Sequence, residues 1–380
     1  MDKRCAKPRI LIFSQRNHRS IMPFRCPHFE FEDVISEIDS VELLAPRIDL
    51  SNLRNTAARQ IAYHTPLVLN PGMEKISLND TYDLLFVICG GPTDLIRVAA
   101  LGNWRTKCDR AVCLIDELWV TEIAGQRNFL RMLDKFDLVM LYYSQTVEPL
   151  NKKIGPKCAF LPPGVDAIRF CPYPTVPQRS IDVYSIGRRS ETTHRALLKM
   201  AEDKEMFYLH DSIAANQVLD AKEHRILFAN IAKRSRYFIV NPGCIDRPEI
   251  RGNQMEIGNR YFEGAASGTM MLGERPNDAV FKKLFDWPDA LIYLPYDCAD
   301  VVDVMGAIEA DPERQDRIRR RNVKEALMRH DWAYRWETIL QAVGLEPIAA
   351  MHDRKEILGN LAKAEVAVGD ETRETHHALR

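Results

Sequence analysis

Short apolar runs separated by polar segments make up most of residues 1–165. Runs of about four to eight apolar residues are typical of strands that are covered on both faces. Between them, segments such as RVAALGNW and QRNFLRMLDKF place apolar residues at helical spacing. Strands that alternate with helices predict a parallel sheet with helices on both faces. The predicted strands lie in RILIF (9–13), VELLAP (41–46), YDLLFVICGG (82–91), RAVCLIDEL (110–118), FDLVMLYYS (136–144) and CAFLPPG (158–164).

A proline-rich segment separates this pattern from a second one. Residues 162–180 contain five prolines, and we interpret them as a linker because proline disfavours helix. The alternation of strands and helices then resumes and ends in helical spacing from 301 to about 345. The chain is therefore predicted to be an α/β protein with a first domain at 1–165, a second domain at 166–346, and a helical extension with a polar tail at 347–380. The strands predicted for the second domain lie at 181–187, 206–211, 236–243, 269–274 and 290–296.

Composition and charge narrow the class of protein. The chain has 52 Lys and Arg against 53 Asp and Glu, which argues against a basic surface for nucleic acid over the whole molecule. No apolar run approaches the ~20 residues of a membrane span, so no transmembrane segment is expected. Nine cysteines without a CxxC pair favour reduced, buried thiols over disulfides or zinc. We therefore expect a globular, cytoplasmic protein with no nucleic-acid partner.

Polar residues that follow strands in the second domain are candidates for ligand binding. In open α/β sheets, ligands bind at the carboxyl ends of strands, so the expected site is a cleft between the two domains. Gly187, Arg188 and Arg189 follow the first strand of the second domain, where they are suited to phosphate oxygens. The alternative is a surface turn with solvated arginines. A full GxGxxG is absent, which argues against a dinucleotide site. His210 also ends a strand, and a structural histidine is the alternative there.

The stretch EIGNRYFEGAASG joins one acid to very small residues. Gly258 and Asn259 suit the start of a helix, where free N–H groups attract phosphate. Arg260 and Glu263 would lie one helical turn apart, as an ordinary ion pair or as ligand contacts. The small residues after the acid would let the helix pack closely on a ligand or on a strand.

Four segments, in this order, resemble the glycosyltransferase group 1 family. RYFEGAASG (260–268) is similar to its R-x-F-E-(A/G)-x-A-x-G segment, and LPPGVDAIRF (161–170) to its P-x-G-V-D-x-x-x-F segment. IGRR resembles the x-G-R donor loop. HDWAYRWETIL (330–340) resembles the H-(T/S)-(W/Y)-x-x-R ending, which implies a helix near 331–345 that crosses back to the first domain. The resemblance implies the GT-B fold, in which two Rossmann-like, doubly wound domains face each other across a cleft.

This resemblance implies a nucleotide-sugar-dependent glycosyltransferase of the hexosyltransferase type. The donor would be a UDP- or GDP-sugar as co-substrate, with no other cofactor. A glycan, a lipid-linked sugar and a small molecule stay open as acceptors. Carried over by position, Glu263 would accept hydrogen bonds from the donor ribose. Around it, the implied donor-side residues are Gly187, Arg188 and Arg189 at the diphosphate, Gly258, Asn259 and Arg260 near the phosphates or sugar, His210 at its strand end, and Ser267 and Gly268 in the nucleotide pocket.

The chain departs from the family pattern in the spacing of its glutamates. Retaining members carry two glutamates with seven residues between them, whereas six residues separate Glu256 from Glu263. On a helix this offset turns a side chain by about 100°. It puts a sugar-binding role for Glu256 in doubt and leaves retaining and inverting chemistry open. No DxD lies beside a strand end, since the acids of DCADVVD fall on a predicted helix, and we predict no essential metal.

An inverting enzyme would also need a general base on the first domain. Asp116 and Glu117 follow a strand, and His18 lies in the loop after the first strand. Helix capping or contact with the acceptor is the alternative for each of them. The other predicted acceptor-side residues are Gly90, Gly91 and Asp94.

Two further functions fit the same donor residues. A nucleotide-sugar epimerase or hydrolase would share the donor pocket and differ in its product. A non-catalytic nucleotide-sugar-binding protein would keep the donor contacts and need no base.

Overall fold

The computed structural model describes residues 8–17, 21–47, 52–203, 205–212 and 217–377. They form two parallel sheets, one with strands between residues 10 and 160 and one with strands between 181 and 293. Helices cover the sheets, so the predicted α/β class is confirmed.

The first sheet contains six parallel strands, one from each predicted apolar run. Its strand order is 2-1-3-4-5-6. The chain therefore leaves the first strand toward one edge and returns to its other side, which opens a crevice between the first and third strands at their carboxyl ends. The strands are β1 (Ile10–Phe13), β2 (Val41–Leu44), β3 (Tyr82–Cys89), β4 (Cys108–Ile115), β5 (Leu138–Leu141) and β6 (Cys158–Phe160).

The first helix of this domain is buried on almost every side. It packs its apolar residues Phe31, Val34 and Ile35 into the core that covers one face of the sheet, and it buries His28, Glu30 and Glu32 as well. A helix without a solvated face lies between two layers, and this one lies between the first sheet and helices of the second domain. The helices here are α1 (Cys26–Ile38), α2 (Asn52–His64), α3 (Trp104–Lys107), α4 (Arg127–Leu130) and α5 (Val147–Ile154). The first four residues of RVAALGNW end a 3-10 helix over Pro92–Ala100, and its last residue begins α3.

The proline-rich segment is more structured than a linker. It contains one helical turn, α6 (Ala167–Phe170). The side chain of Asp166 caps this turn by accepting a hydrogen bond of 3.2 Å from the backbone N–H of Arg169. Ala167 and Phe170 are buried in the core of the second domain. The turn forms because tertiary burial of these two residues outweighs the local effect of the prolines.

The second sheet repeats the topology of the first with five parallel strands. In the order of the chain, its strands are arranged 2-1-3-4-5. Its crevice therefore lies between its own first and third strands. The strands are β7 (Ile181–Ser185), β8 (Tyr208–His210), β9 (Ser235–Val240), β10 (Met270–Gly273) and β11 (Ile292–Tyr293).

The small residues of GAASG bring one helix of this domain close to the sheet. A Cβ added to Gly264 would lie 2.8 Å from the sulfur of Met271 and 3.1 Å from a ring carbon of Phe238. A side chain there would therefore push this helix away from β9 and β10. The helices are α7 (Glu191–Glu202), α8 (Ala221–Lys233), α9 (Pro248–Arg251), α10 (Asn259–Ala266), α11 (Asp278–Leu284) and α12 (Val301–Glu309).

The last three helices connect the second domain back to the first. They are α13 (Pro312–Arg329), α14 (Trp332–Val343) and α15 (Ala349–His377), and α15 takes up most of the predicted extension and tail. In α14, Trp332 stacks on Phe31 with ring centroids 4.6 Å apart. Trp336 donates a hydrogen bond of 2.8 Å to Asp39 at the end of α1. These contacts place α14 against the first domain.

The described cysteines and helices bear on two of the compositional predictions. None of the eight cysteines in the described ranges forms a disulfide, and seven of them are buried. Among the described helices, none has the length and apolar character needed to cross a membrane.

Candidate functional site

The carboxyl ends of the two sheets meet. Glu256, in the loop before α10, accepts hydrogen bonds of 3.0 Å from the backbone N–H groups of both Ser144 and Gln145. The side-chain oxygen of Gln254 accepts a hydrogen bond of 2.6 Å from the N–H of Val120. Loops that follow β4 and β5 are thus fixed to the loop that follows β9.

Glu256 is therefore part of the contact between the domains. It is 1% exposed, and its carboxylate lies at the start of the helical segment that continues into α5, where free N–H groups favour an anion. A further hydrogen bond of 3.1 Å comes from Gln254. A sugar-binding role was already in doubt from its spacing, and the structure assigns this carboxylate to protein groups.

On the first domain, Asp94 is an internal ion-pair partner. Its carboxylate oxygens lie 2.8 Å from guanidinium nitrogens of Arg25 and Arg97 and accept a hydrogen bond of 2.8 Å from the N–H of Gly90. Burial by itself would raise the pKa of Asp94, but Arg97 and Arg25 outweigh it and lower the pKa to about 2. Asp94 therefore holds the glycine loop, Gly90 and Gly91, in place, and its carboxylate is not free for an acceptor.

The glycine loop lies against Arg25. A Cβ added to Gly90 would lie 3.2 Å from the guanidinium carbon of Arg25, so the absence of a side chain permits this approach. Gly91 is half-buried beside the backbone oxygen of Glu117. The loop lies at the crevice between β1 and β3, as predicted for parallel sheets.

Asp116 forms a pair with a histidine of α1. Its carboxylate oxygen lies 2.8 Å from Nε2 of His28. The histidine side chain is only 3% exposed, whereas that of Asp116 is 17% exposed. The carboxylate is therefore the member of the pair that a ligand reaches, and the buried imidazole orients it. This arrangement is suitable for a general base.

Glu117 is held by an indole and lies at the contact between the domains. Its oxygen accepts a hydrogen bond of 2.7 Å from Nε1 of Trp119 and lies 3.7 Å from the sulfur of Cys244 in the second domain. Burial raises the pKa of Glu117, and the bond from Trp119 opposes this rise. The third candidate base, His18, lies outside the described residues.

The predicted donor loop of the second domain is exposed at the carboxyl end of β7. Gly187 has a φ of +85°, and no atom lies within 4 Å of the position that a Cβ would take. The backbone conformation, and not a close neighbour, therefore favours glycine at this position. Arg188 is 42% exposed and lies 3.4 Å from Asp246. Arg189 donates hydrogen bonds of 2.7 and 2.8 Å to Asp211. Arg188 is thus weakly paired at the surface, whereas Arg189 is fixed.

His210 lies in an aromatic cluster at the end of β8. Its ring is 4.9 Å from that of His194 and 4.8 Å from that of Tyr208, measured between centroids. These contacts match the structural alternative for this histidine, and a donor contact stays a prediction.

The start of α10 is open to a ligand. Nothing lies within 4 Å of a Cβ built on Gly258, which is the N-cap residue. The side-chain oxygen of Asn259 is buried, and no hydrogen-bond partner for it exists in the described part of the chain. Free N–H groups at a helix start attract anions, so this end of α10 is suitable for phosphate.

Glu263 lies in a buried chain of charges. It is 0% exposed and is paired with Arg225 of α8 and, at 2.5 Å, with Arg260. Arg225 in turn donates hydrogen bonds of 2.8 and 3.0 Å to Glu30 of α1. Burial alone would raise the pKa of Glu263, but the two arginines outweigh it and the pKa is lowered. The carboxylate is ionised and already occupied by protein groups.

The two partners of Glu263 differ in exposure. Arg225 is 2% exposed, whereas the side chain of Arg260 is 26% exposed and lies over the ring of Phe228 at 4.6 Å from its centroid. Arg260 is thus the partner that a ligand can reach. Contact between Glu263 and a ribose would require Arg260 to move.

Ser267 and Gly268 lie at the other end of α10. The hydroxyl of Ser267 donates to the backbone oxygen of Gly264 at 3.0 Å, and the residue is fully buried. Gly268 has a φ of +66°, which is typical of a glycine that ends a helix. They lie before β10, at the amino edge of the sheet. The structure therefore does not bring them together with the residues at the carboxyl edges, and a place in the nucleotide pocket is not supported for them.

Comparisons with known proteins agree with this architecture. Residues 197–341 match the protein family described as glycosyl transferase-like. The family resemblance predicted from the sequence is thereby confirmed for this region. A search of curated protein sequences gave no match.

Solved structures extend the likeness to both domains. HepE from Anabaena in complex with UDP is 11% identical, with a TM-score of 0.51, over 88% of this chain and 99% of that one. An alpha-glucosyltransferase in complex with UDP-glucose and DNA containing an abasic site is also 11% identical, with a TM-score of 0.54 over the same shares. At this identity the likeness concerns the fold, and the predicted GT-B fold is confirmed.

Sequence reasoning missed the role of α1 at this site. Arg25, directly before the helix, positions the glycine loop, His28 orients Asp116, and Glu30 holds Arg225. Polar residues set among Phe29, Phe31 and Val34 in a helix directly after β1 were the available signal, because that position borders the crevice. No group of three or more metal-binding side chains occurs within the described ranges.

Proposed function

We propose that the protein transfers a hexosyl group from a UDP-sugar to an acceptor bound on the first domain. The observation that carries the proposal is the open, cationic start of α10, which lies within the segment that matches the glycosyl transferase-like family. The UDP and UDP-glucose in the complexes of the two similar folds favour UDP over GDP.

The diphosphate of the donor binds between the loop that follows β7 and the start of α10. Arg188 supplies a weakly paired guanidinium, and the N–H groups at the start of α10 supply further donors. Fixed cations and amides stabilise the charge that builds on a leaving diphosphate without a metal ion. Such groups make a metal dispensable, and this is the basis for proposing metal-independent transfer.

Arg260 exchanges partners when the donor binds. In the structure it neutralises Glu263. An incoming diphosphate attracts the guanidinium more strongly than a carboxylate that Arg225 already pairs. The oxygen of Glu263 that Arg260 leaves then accepts hydrogen bonds from the ribose. One arginine thus moves from a carboxylate to a phosphate, and the donor completes the site.

The acceptor binds next to the Gly90–Gly91 loop, with its hydroxyl directed at Asp116. As transfer proceeds, the bond between the anomeric carbon and the diphosphate oxygen breaks and a bond to the acceptor oxygen forms. The acceptor proton passes to the Asp116 carboxylate, which His28 keeps in position at 2.8 Å. The negative charge leaves with UDP.

Binding of UDP tests the donor site. Titration calorimetry with UDP is expected to show a loss of about 1.5–3 kcal/mol for Arg188→Ala, the usual value of hydrogen bonds to charged groups. Arg195→Ala is the matched control, because Arg195 is an exposed arginine of α7 whose ion-pair partner is its own helix neighbour Glu191. Equal affinities for the two variants would contradict the donor site.

The exchange of partners predicts a second pattern. Glu263→Gln removes the charge but keeps the shape, and we expect UDP binding to weaken by about 1.5–3 kcal/mol. Binding of 2′,3′-dideoxyuridine 5′-diphosphate, which lacks both ribose hydroxyls, is expected to be unaffected. Retained folding is checked by circular dichroism. A loss that is the same with and without the ribose hydroxyls would assign Glu263 to structure alone.

A panel of nucleotide sugars separates the alternatives. Transfer of radiolabelled sugar to an acceptor supports the proposal. A changed or freed sugar indicates an epimerase or hydrolase, and binding without any turnover of donor indicates a non-catalytic binding protein.

A further inference from the structure

A recess of about 600 Å³ lies in the first domain, away from the facing sheet edges. Trp104 of α3, which precedes β4, and Phe136, which precedes β5, line it. It therefore opens at the amino ends of these strands. β4 has eight residues, so the recess lies about 25 Å from Asp116 at the other end of that strand. It is separate from the proposed transfer site.

The base of the recess is aromatic. The rings of Trp104 and Phe136 lie 5.2 Å apart between centroids and are inclined by 33°. They are 5% and 3% exposed, so both are fixed in the core. Val98, Leu101 and Met132 extend this apolar lining. A volume of this size suits a ligand with a sizeable apolar body.

The rim carries apolar residues in contact with solvent. Val68 lines the recess, and Leu67, Val68 and Leu69 are 62%, 37% and 46% exposed. Three exposed aliphatic residues in a row are uncommon unless they contact something. At the mouth of a recess, they are placed to cover the part of an apolar ligand that extends from it.

The polar part of the lining has one sign of charge. Arg105, Arg131 and Lys135 line the recess, and none of the lining residues is acidic. Arg105 pairs with Asp137 at 2.9 Å. Arg131 and Lys135 are exposed and form no ion pair in the ranges that the structure describes. Two cations without acidic partners beside an apolar recess are complementary to an anion with an apolar tail.

We infer that this recess binds an amphiphilic anion, that is, a phosphate or carboxylate attached to an apolar chain or ring. The apolar body lies on Trp104 and Phe136, and the anionic group lies between Arg131 and Lys135. A single molecule is favoured over a membrane surface because the deepest contacts are with aromatic rings at the base of a recess rather than on a flat face.

Calorimetry with monomeric dodecyl phosphate tests the site in the full chain. We expect saturable binding of one molecule. Dodecyl maltoside supplies the tail without the charge and is expected to bind at least about tenfold more weakly, since one charged hydrogen bond contributes that much. Inorganic phosphate supplies the charge without the tail and is also expected to bind at least about tenfold more weakly, because it buries no apolar surface.

Charge reversal at the rim identifies the location. Arg131→Glu with Lys135→Glu is expected to weaken dodecyl phosphate binding by at least about tenfold. Lys152→Glu with Lys153→Glu, on the exposed side of α5, makes the same change in net charge and is expected to leave binding unchanged. Val68→Asp, at the rim, is expected to weaken binding as well.

Three outcomes would overturn the inference. The first is that dodecyl phosphate does not bind. The second is that the double variant at the rim and the double variant on α5 bind it equally. The third is that the protein binds only to phosphatidylglycerol vesicles. The last would assign the exposed Leu67–Leu69 run to a membrane surface instead. None of these results depends on transfer activity, so a failure of this inference would not contradict the proposed function.

Discussion

The two sheets share one strand order but present different groups at their facing edges. At the crevice between β1 and β3, Asp94 is buried between Arg25 and Arg97. At the crevice between β7 and β9, Gly187 has open space beside it and Arg188 is exposed. The same topology thus supplies two crevices that differ in their side chains. Charged protein groups fill the crevice between β1 and β3, whereas the crevice between β7 and β9 stays available to an anion.

The contrast extends to the acids. Asp116 has one buried partner, His28, and retains an exposed fraction of 17%. Glu263 has two arginine partners and no exposed surface. A carboxylate that is held yet reachable suits proton transfer, whereas one that is fully paired stabilises the structure until a partner is drawn away. Chemistry is therefore expected on the first domain and charge stabilisation on the second.

The largest expected effect tests the assignment of chemistry to the first domain. Asp116→Asn keeps the hydrogen-bonding shape beside His28 but removes the base, and we expect kcat to fall by about 10²–10⁴-fold with UDP affinity unchanged. Initial-rate kinetics measure this change. Asp134→Asn, at a position that is 65% exposed, is the control. Full activity of Asp116→Asn would show that Asp116 is not the general base.

The next effect tests the structural charges between the domains. Arg225→Met leaves Glu30 and Glu263 as buried carboxylates without their main partner. We expect the free energy of unfolding to fall by about 3–5 kcal/mol in urea denaturation. Arg195→Met, an exposed counterpart, is expected to change it by at most about 0.5 kcal/mol. Similar values for both variants would show that the chain of charges does not hold the domains.

A smaller effect concerns the pH dependence of stability and Asp94 at the crevice between β1 and β3. The pKa of Asp94 is lowered from 3.8 to about 2, so its ion pairs stabilise the folded state above pH 3.8, and this contribution is lost as the pH falls from about 4 through 2. The difference corresponds to about 2 kcal/mol. Unfolding measured at several pH values should show a shallower acid slope for Asp94→Asn than for the native protein. Parallel slopes would contradict the ion-pair assignment.

The smallest expected effect is that of metal removal. Since Arg188 and the start of α10 are proposed to stabilise the diphosphate, transfer should continue in EDTA at an unchanged rate. A complete loss that manganese restores would replace the cationic mechanism by a metal-dependent one.

Part of the site could be predicted from local sequence. The position of Gly187, Arg188 and Asp116 after apolar runs was enough to place them at sheet edges, because a strand has a fixed direction and its carboxyl end follows from the chain. The start of α10 was predicted from Gly258 and Asn259 by the same kind of local rule. Ser267 and Gly268 were misplaced, because a helix of eight residues separates its two ends by about 12 Å.

The sequence by itself determined two α/β units, their strands and the direction in which each sheet presents its loops, because hydrophobic periodicity is local. Only the tertiary structure decided which charges pair. Glu30 meets Arg225 across 195 residues, and His28 meets Asp116 across 88. Whether a ligand can reach a carboxylate, or protein groups already occupy it, depends on the side chains that packing brings within about 3 Å of it. Such neighbours come from distant elements, so no local pattern specifies them.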